Sequence, residues 1–400
     1  MRMMKAFSLA FAAGIVVAHA APADVTVLHR FTGDDGTNSQ TALTVGPDGR
    51  LYGTQLEGGA FNRGTVFAID PATGTLTTLH DFANDEGLDP FGQLLLASDG
   101  IFYGTTRYGG DPNCPSGCGT IYRISPSGAF AQLHQMHFLE GTTLQGGLIE
   151  GPDGRLYGTA TLGGQNGCRG VGGGCGSVYA FTPATAKVKV LHLFQNTDGR
   201  FPYGRLLLGD DGLLYGTTSS GAAGEAGTVY RVSTRGTKFK TLAEFAGSDA
   251  GCQPKAGLIQ VGHRYYGAAE DCGSNGAGAV YSISRKGDLR ALYRFDFDGY
   301  ARTGKNSLAE LVQGPGGDLF GTARLGGKPV DDPDRAGVVF RLSLKGKIDV
   351  MHTFMGAPDG AQPTSGLTVA PDGNLYGVTP VGGSDGFPGH GVVYRLTAAQ

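Results

Sequence analysis

The sequence predicts an all-β protein, a seven-bladed β-propeller with four antiparallel strands in each blade. Three observations predict it: a Leu-Tyr-Gly-Thr-like motif that recurs seven times, four short strand signals in each recurrence, and one repeat divided between the two ends of the chain. A period near 50 residues is typical of repeat architectures. The aromatic residue of the motif stands at Tyr52, Tyr103, Tyr157, Tyr215, Tyr266, Phe320 and Tyr376.

The last repeat illustrates the four strands. An apolar first strand at 366–369 meets a Pro-Asp-Gly turn, and Asp-Gly is a strong hairpin signal. The motif follows as the second strand at 374–378, and a glycine-rich loop then leads to a β-branched and aromatic third strand at 391–396. In most of the other repeats a fourth strand ends in a Leu-x-x-Phe pattern, as at Leu191 and Phe194, and the second repeat has a longer form at 133–138. Four short strands without helical periodicity favour propeller blades.

The seventh repeat is divided between the chain ends. It lacks a fourth strand after Leu396, while residues 25–31 form a fourth-strand pattern before any first strand. We expect residues 25–31 to complete the blade formed by 361–396, which closes the ring and removes an exposed edge. The predicted domain organisation is a signal peptide at 1–20 and a single propeller domain at 21–400.

The first twenty residues have the pattern of a secretory signal peptide. Arg2 and Lys5 precede an apolar run at 6–18, and Ala18-His19-Ala20 is a small-residue cleavage site. The run is too short to span a membrane. We therefore expect cleavage near Ala20 and a secreted or periplasmic protein.

Composition excludes several partner classes. Without Arg2 and Lys5 the mature chain has 30 basic and 35 acidic residues and contains no basic tract. Nucleic acid and anionic membranes need dense lysine and arginine, so we predict neither as a partner, and we expect a monomer. Glycine accounts for 71 of 400 residues, but the glycines occupy fixed places in the repeat, which indicates turns rather than disorder.

The chain has an even number of cysteines, which in an exported protein indicates disulfides. Six cysteines allow 15 pairings, and the simplest joins neighbours within one blade: 114–118, 168–175 and 252–272. The alternative is zinc, but the spacings form no paired CxxC motifs and no histidine lies at ligand spacing. All six are predicted on the face that holds the four-to-one and two-to-three loops, here called the top. They are Cys114, Cys118, Cys168, Cys175, Cys252 and Cys272.

The motif Leu-Tyr-Gly-Thr…Gly-Gly…Gly-Thr-Val-(Tyr/Phe) resembles exported bacterial tandem-repeat proteins, the GloVer or choice-of-anchor tandem repeat family. The resemblance covers residues 25–396 and is closest at 51–67 and 214–230. It implies a repeat fold and export, and no particular activity. Many members carry a C-terminal sorting anchor; none precedes Gln400, so we expect a free form. The fifth repeat departs from the pattern, with a shorter turn at His263 and Ala268 in place of threonine.

Histidines and aspartates recur at equivalent positions. The Leu-His-x-Phe strands contain His29, His80, His192 and His352, and Asp-Gly pairs follow the fourth strand at Asp35, Asp198, Asp298 and Asp359. Recurrence favours packing for the histidines and turn formation for the aspartates. A ring of aspartates is also compatible with calcium, as is the acidic run at Asp331, Asp332 and Asp334, although that run lacks the spacing of a calcium loop. We expect no cofactor and no metal centre.

A ligand site is predicted where the repeat varies. Three residues before the first-strand leucine the repeats carry Gln40, Phe91, Gln145, Tyr203, Lys255, Leu308 and Thr364. Arg107, Tyr108, Arg205, Tyr300, Arg302 and Arg324 lie in nearby top loops. Positions that vary within a constant frame are not needed for the frame, so we expect them to bind a ligand at the channel mouth.

Two functions fit these residues. The first is a non-catalytic scaffold that binds a glycan or a protein, because H-E-x-x-H does not occur in the chain and G-x-S-x-G occurs only within the glycine-rich loop, at 382–386. The second is a polysaccharide lyase or glycosidase acting on an acidic polysaccharide. A lyase needs a base and a cation beside the uronate carboxylate. Tyr203, His390, Lys255 and Arg302 are the candidates for that chemistry.

Overall fold

The computed structural model describes residues 25–83, 85–114, 116–165, 168, 173–247, 249–273, 276–295, 302–327, 337–383 and 388–397. The predicted signal peptide lies outside these ranges. The described strands form seven four-stranded antiparallel sheets, each in the order of strands one to four. The predicted seven-bladed propeller is therefore confirmed. Within the described ranges, no helix has the length and apolar character needed to cross a membrane.

The strands of blades 1 to 4 follow in chain order. Blade 1 comprises Thr44–Val45, Leu51–Gln55, Thr65–Ile69 and Leu76–Asp81. Blade 2 comprises Leu95–Leu96, Phe102–Thr106, Thr120–Ile124 and Phe130–Gln135. Blade 3 comprises Ile149–Glu150, Leu156–Ala160, Ser177–Thr182 and Lys187–Leu193. Blade 4 comprises Leu207–Leu208, Leu213–Thr218, Thr228–Ser233 and Lys240–Glu244.

The remaining blades include the divided one. Blade 5 comprises Ile259–Val261, Arg264–Ala269, Ala279–Ser284 and Leu289–Arg294. Blade 6 comprises Val312–Gln313, Leu319–Ala323, Val338–Leu342 and Ile348–Thr353, with a 3₁₀ turn at Pro315–Gly317. Blade 7 comprises Thr368–Val369, Leu375–Thr379, Val392–Leu396 and, from the N-terminal end, Val25–Arg30. Val25 pairs with Leu396 and Arg30 with Val392, so the N-terminal strand closes the ring.

The glycine of the repeated motif makes room for an aromatic ring. In blade 4, Gly216 lies directly opposite Tyr230 of strand three, and a Cβ at Gly216 would come within 2.4 Å of the tyrosine hydroxyl oxygen. In blade 1, Gly53 is opposite Phe67, and a Cβ there would lie 2.6 Å from the ring. Both rings are fully buried. The motif therefore recurs because each blade packs the same ring against the same gap.

The tyrosine of the motif binds the turn between strands one and two. The Tyr376 hydroxyl donates to Asp372 at 2.6 Å, and Tyr52 donates to Asp48 at 2.8 Å. Burial raises the pKa of Tyr376 to about 12, and its bond to Asp372 adds to the shift. Blade 6 has lost both partners together, with Phe320 in place of the tyrosine and Gly316 in place of the aspartate. Blade 5 keeps the tyrosine as Tyr266 but has Gly262 in place of the aspartate, in its shorter turn.

The top loops of each blade are joined to one another. One isolated antiparallel bridge per blade connects the four-to-one loop to the two-to-three loop, as between Arg200 and Ser220 in blade 4. The predicted disulfide pairing is confirmed at all three places: Cys114–Cys118, Cys168–Cys175 and Cys252–Cys272. Three disulfides fit an oxidising compartment, extracellular or periplasmic.

The recurring histidines form hydrogen-bonded pairs with the recurring acidic residues. His29 contacts Asp35 at 2.7 Å, and Asp35 also accepts the backbone N–H of Thr32. Burial acts to raise the pKa of Asp35, but the bonds from His29 and Thr32 prevail and lower it. Each pair ties the end of strand four to the following loop, which supports the structural interpretation of both residue types. The other pairs are His80–Glu86, His134–Glu140, His192–Asp198 and His352–Asp359.

Candidate functional site

The seven variable residues surround one cavity at the top of the channel. This cavity, here called the mouth, has a volume of about 270 Å³. Each blade contributes one of them, and all seven are buried or half-buried. The ring consists of Gln40, Phe91, Gln145, Tyr203, Lys255, Leu308 and Thr364. The residue at this one position of the repeat therefore lines the mouth in every blade.

The constant part of the repeat positions this variable ring. In blades 3, 4 and 6 the threonine of the motif donates its hydroxyl to the next blade, to the carbonyl of the residue that follows the variable residue. Thr159 bonds Gly204 at 3.2 Å, just after Tyr203, and Thr217 bonds Ala256 at 3.0 Å, just after Lys255. Thr322 likewise bonds Ser365 at 2.9 Å. The repeated strand thus orients the variable residue of its neighbour.

Charged and polar groups of the mouth are held by residues at the top end of strand two. Lys255 forms an ion pair with Glu270 at 2.5 Å, and its Nζ lies 5.7 Å from the ring centroid of Tyr203. The Thr161 hydroxyl donates to Gln145 at 3.3 Å. Such pairs hold the mouth side chains in defined positions.

Arg107 and Tyr108 lie behind one wall of the mouth rather than on its surface. The Arg107 guanidinium carbon is 5.9 Å from the Phe91 ring centroid and 4.8 Å from that of Tyr108. Phe91 itself lines the mouth. We therefore assign Arg107 a supporting position between Phe91 and Tyr108.

A second ring, two residues further along each blade, forms the floor of the mouth. Its side chains alternate in size around the channel: Ala42, Gln93, Gly147, Arg205, Gly257, Glu310 and Gly366. These residues line the mouth, and several also line a chamber of about 300 Å³ below it. The large polar side chains extend over the small residues of neighbouring blades and separate the two spaces.

The floor is bridged by an ion pair between blades 4 and 6. Arg205 donates to Glu310 through two nitrogens, at 2.8 and 3.3 Å. The intervening blade 5 has Gly257, where a Cβ would lie 2.9 Å from a Glu310 carboxylate oxygen. The Glu310 charge raises the pKa of Arg205. Gln93 completes the floor by donating to the carbonyl of Leu43 at 3.0 Å.

Several sequence candidates lie elsewhere. His390 is exposed, contacts Thr37 at 3.3 Å and lines a different depression beside Arg30, near the outer strand of blade 7. Arg302 is exposed and does not line the mouth. Tyr300, Asp298 and the acidic run at 331–334 fall outside the described residues. The structure therefore brings together Tyr203 and Lys255, but not His390 or Arg302.

Sequence reasoning missed Gln93, Glu270 and Glu310. Gln93 and Glu310 stand two residues after the variable ring, at a position that alternates between small and large residues in all seven repeats. That alternation is a usable signal, because small residues between large ones leave room for side chains that cross the channel. Glu270 stands in the departing fifth repeat, four residues after its motif tyrosine.

The Gloeobacter/Verrucomicrobia repeat family matches residues 4–171 and 168–386. The chain belongs to this family. The resemblance to tandem-repeat proteins predicted from the motif is thereby confirmed. No curated protein sequence matches the chain.

Solved propellers share the fold at low identity. An oligogalacturonate lyase from Vibrio parahaemolyticus has a TM-score of 0.57 and 11% identity, with 94% of each chain covered. An oligogalacturonate lyase in complex with manganese has a TM-score of 0.56 and 12% identity, with coverage of 96% of this chain and 95% of that one. A putative 6-phosphogluconolactonase from Bacteroides uniformis has a TM-score of 0.51 and 15% identity, over 78% and 84%. At these identities the likeness concerns the fold alone.

Proposed function

We propose that this protein is an exported, non-catalytic binding protein that takes part of a glycan into the mouth. The observation that carries the proposal is the convergence of all seven variable residues on one cavity. A concave site with aromatic walls and a few oriented polar groups is the usual form of a small-ligand site. The volume of about 270 Å³ suits a short stretch of a chain molecule better than a protein surface.

The mouth offers the contacts that a sugar uses. Tyr203 and Phe91 supply ring surfaces, and Gln40 and Gln145 supply amides that both donate and accept. Gln145 is 8% exposed and accepts a hydrogen bond from Thr161, which orients its amide toward one arrangement before a ligand arrives. Preorganised groups of this kind lower the entropic cost of binding.

Calorimetric titration with a panel of soluble oligosaccharides tests the proposal. We expect one or more to bind, and Tyr203→Ala and Gln145→Ala each to weaken binding by about tenfold, which corresponds to 1.4 kcal/mol. Phe61→Ala is the matched control, because Phe61 is a top-face aromatic that is 59% exposed and does not line the mouth. Binding that survives both mouth variants would refute a site at the mouth.

A second candidate function is a lyase, favoured by the approach of Lys255 to the Tyr203 ring. Tyrosine as a base with lysine as a carboxylate partner would satisfy the chemistry of β-elimination. Incubation with uronate polysaccharides, followed through the ultraviolet absorbance of the unsaturated product, tests it. We expect no rise with the wild-type protein; a rise that is lost in Tyr203→Phe would establish the enzyme instead.

A further inference from the structure

We propose that the mouth selects electrically neutral, hydroxyl-rich sugar residues and rejects uronates and other anions. The proposal rests on the proposed glycan-binding function and names its ligand class. It follows from the charges that line the mouth. Among the described residues that line it, the two cations are Arg205 and Lys255, and each has a carboxylate partner supplied by the chain itself.

The first cation is neutralised across the floor. Glu310 binds Arg205 through two guanidinium nitrogens, so the face that would grip a ligand carboxylate is occupied. The fold provides the space that this ion pair needs. Gly257 leaves the space for it, since a Cβ there would lie 2.9 Å from a Glu310 oxygen, and Gly147 leaves the Arg205 stem its path, with a Cβ 3.3 Å from Cδ.

The second cation is neutralised from the wall. Glu270 holds Lys255 at 2.5 Å from the end of strand two in the same blade. The Glu270 side chain is more deeply buried than that of Lys255, at 15% against 32% exposed, so the carboxylate lies behind the ammonium group. Lys255 therefore presents N–H donors to the cavity without adding net charge to the site.

This arrangement disfavours an incoming anion. A ligand carboxylate that approaches Arg205 also approaches Glu310, and the two like charges repel each other. Attraction to the cation is offset by that repulsion. Sugar hydroxyls meet no such conflict, because each donates to a carboxylate oxygen and accepts from a guanidinium or ammonium N–H. Adjacent hydroxyls match the adjacent donors and acceptors of an ion pair.

Matched sugar pairs test the selectivity. The probes are trisaccharides of galactose and galacturonate, glucose and glucuronate, and mannose and mannuronate, titrated by calorimetry at low salt. Each pair differs only in an exocyclic CH₂OH or carboxylate. We expect at least one neutral member to bind about tenfold or more tightly than its acidic counterpart. Equal or tighter binding of the acid would overturn the inference while leaving glycan binding intact.

Variants locate the selectivity in the floor. Glu310→Gln keeps the shape, removes one negative charge and leaves Arg205 unopposed, so we expect the preference for the neutral sugar to fall by about tenfold. Glu225→Gln is the matched control, since Glu225 pairs with Arg200 at 2.9 Å on the top face and does not line the mouth. A preference unchanged in Glu310→Gln, with a native melting transition, would contradict the role of the floor. Failure of all six sugars to bind would overturn this inference and the proposed function together.

Discussion

The repeated strand-two motif lies next to the mouth segment, which runs in each blade from the variable residue to the floor residue two positions later. The motif is nearly constant between blades, whereas the mouth segment varies. The motif is nearly constant because its leucine, tyrosine, glycine and threonine all contact other parts of the frame: a buried core, a turn aspartate, an aromatic ring and the next blade. The mouth segment begins with a side chain that faces an open cavity, and this position holds six different residue types in the seven blades. Repetition therefore marks packing in this protein, and variation marks the place where a ligand has access.

The largest expected effect is the loss of unfolding free energy when a disulfide of the top loops is removed. Cys252 precedes Lys255 by three residues, and its bond to Cys272 closes a loop with a sequence separation of 20. Replacing both cysteines with alanine should cost about 3 kcal/mol of unfolding free energy by the loop-entropy estimate, against about 2 kcal/mol for the Cys114–Cys118 pair. Denaturant midpoints of the two double variants measure the difference. The reverse order would contradict a loop-entropy origin.

The next effect distinguishes the two regions directly. Gly216→Ala places a methyl group 2.4 Å from the Tyr230 hydroxyl oxygen and should cost about 1–3 kcal/mol through overpacking. Gly366→Ala, in the floor of the mouth, places its methyl group no closer than 3.1 Å to its nearest neighbour. We expect Gly366→Ala to lower the free energy of unfolding clearly less than Gly216→Ala does. Urea denaturation of both variants tests this, and equal losses would remove the proposed distinction between frame and mouth.

A smaller effect is expected at the turn below the motif. Tyr376→Phe removes the hydrogen bond to Asp372 and should cost about 1 kcal/mol near neutral pH. The pKa of Tyr376 is raised to about 12, so the stabilisation is complete below the unfolded value near 10 and is lost as the pH rises through 12. Denaturation at pH 8 and above pH 10 should show the difference between wild type and variant shrinking. A constant difference would argue against the hydrogen bond as its cause.

The smallest expected effect is a change in how the stability depends on pH under acidic conditions. Burial acts to raise the pKa of Asp372, but hydrogen bonds from Tyr376 and the Asn374 backbone prevail and lower it. Its contribution is therefore present above the unfolded value near 4 and is lost as the pH falls through the lower folded value. Asp372→Asn should flatten the acid limb of the stability profile slightly. A steeper limb in the variant would show that the sign is wrong.

Position in the repeat was a better guide to the mouth residues than side-chain chemistry, as Tyr203 and His390 show. Tyr203 lines the mouth, and the sequence predicts its place there because its position relative to the first strand is the same in every repeat. His390 is a candidate for lyase chemistry by residue type, but it lies near the top loops at the outer strand of blade 7. Sequence order separates the top from the bottom through strand direction, whereas distance from the channel depends on the course of the two-to-three loop.

The amino-acid sequence by itself determined the number of blades, the division of the seventh blade between the chain ends and the ring of variable residues, and it favoured, among 15 pairings, the disulfides that the structure contains. Each of these follows from local spacing that repeats at a fixed register. Only the tertiary structure decided that Arg205 meets Glu310, that Lys255 meets Glu270 and that Tyr203 lies beside Lys255. Arg205 and Glu310 are 105 residues apart and belong to blades that do not adjoin. Their contact exists because closing the ring brings seven first strands around one channel and because Gly257 leaves the space between them open.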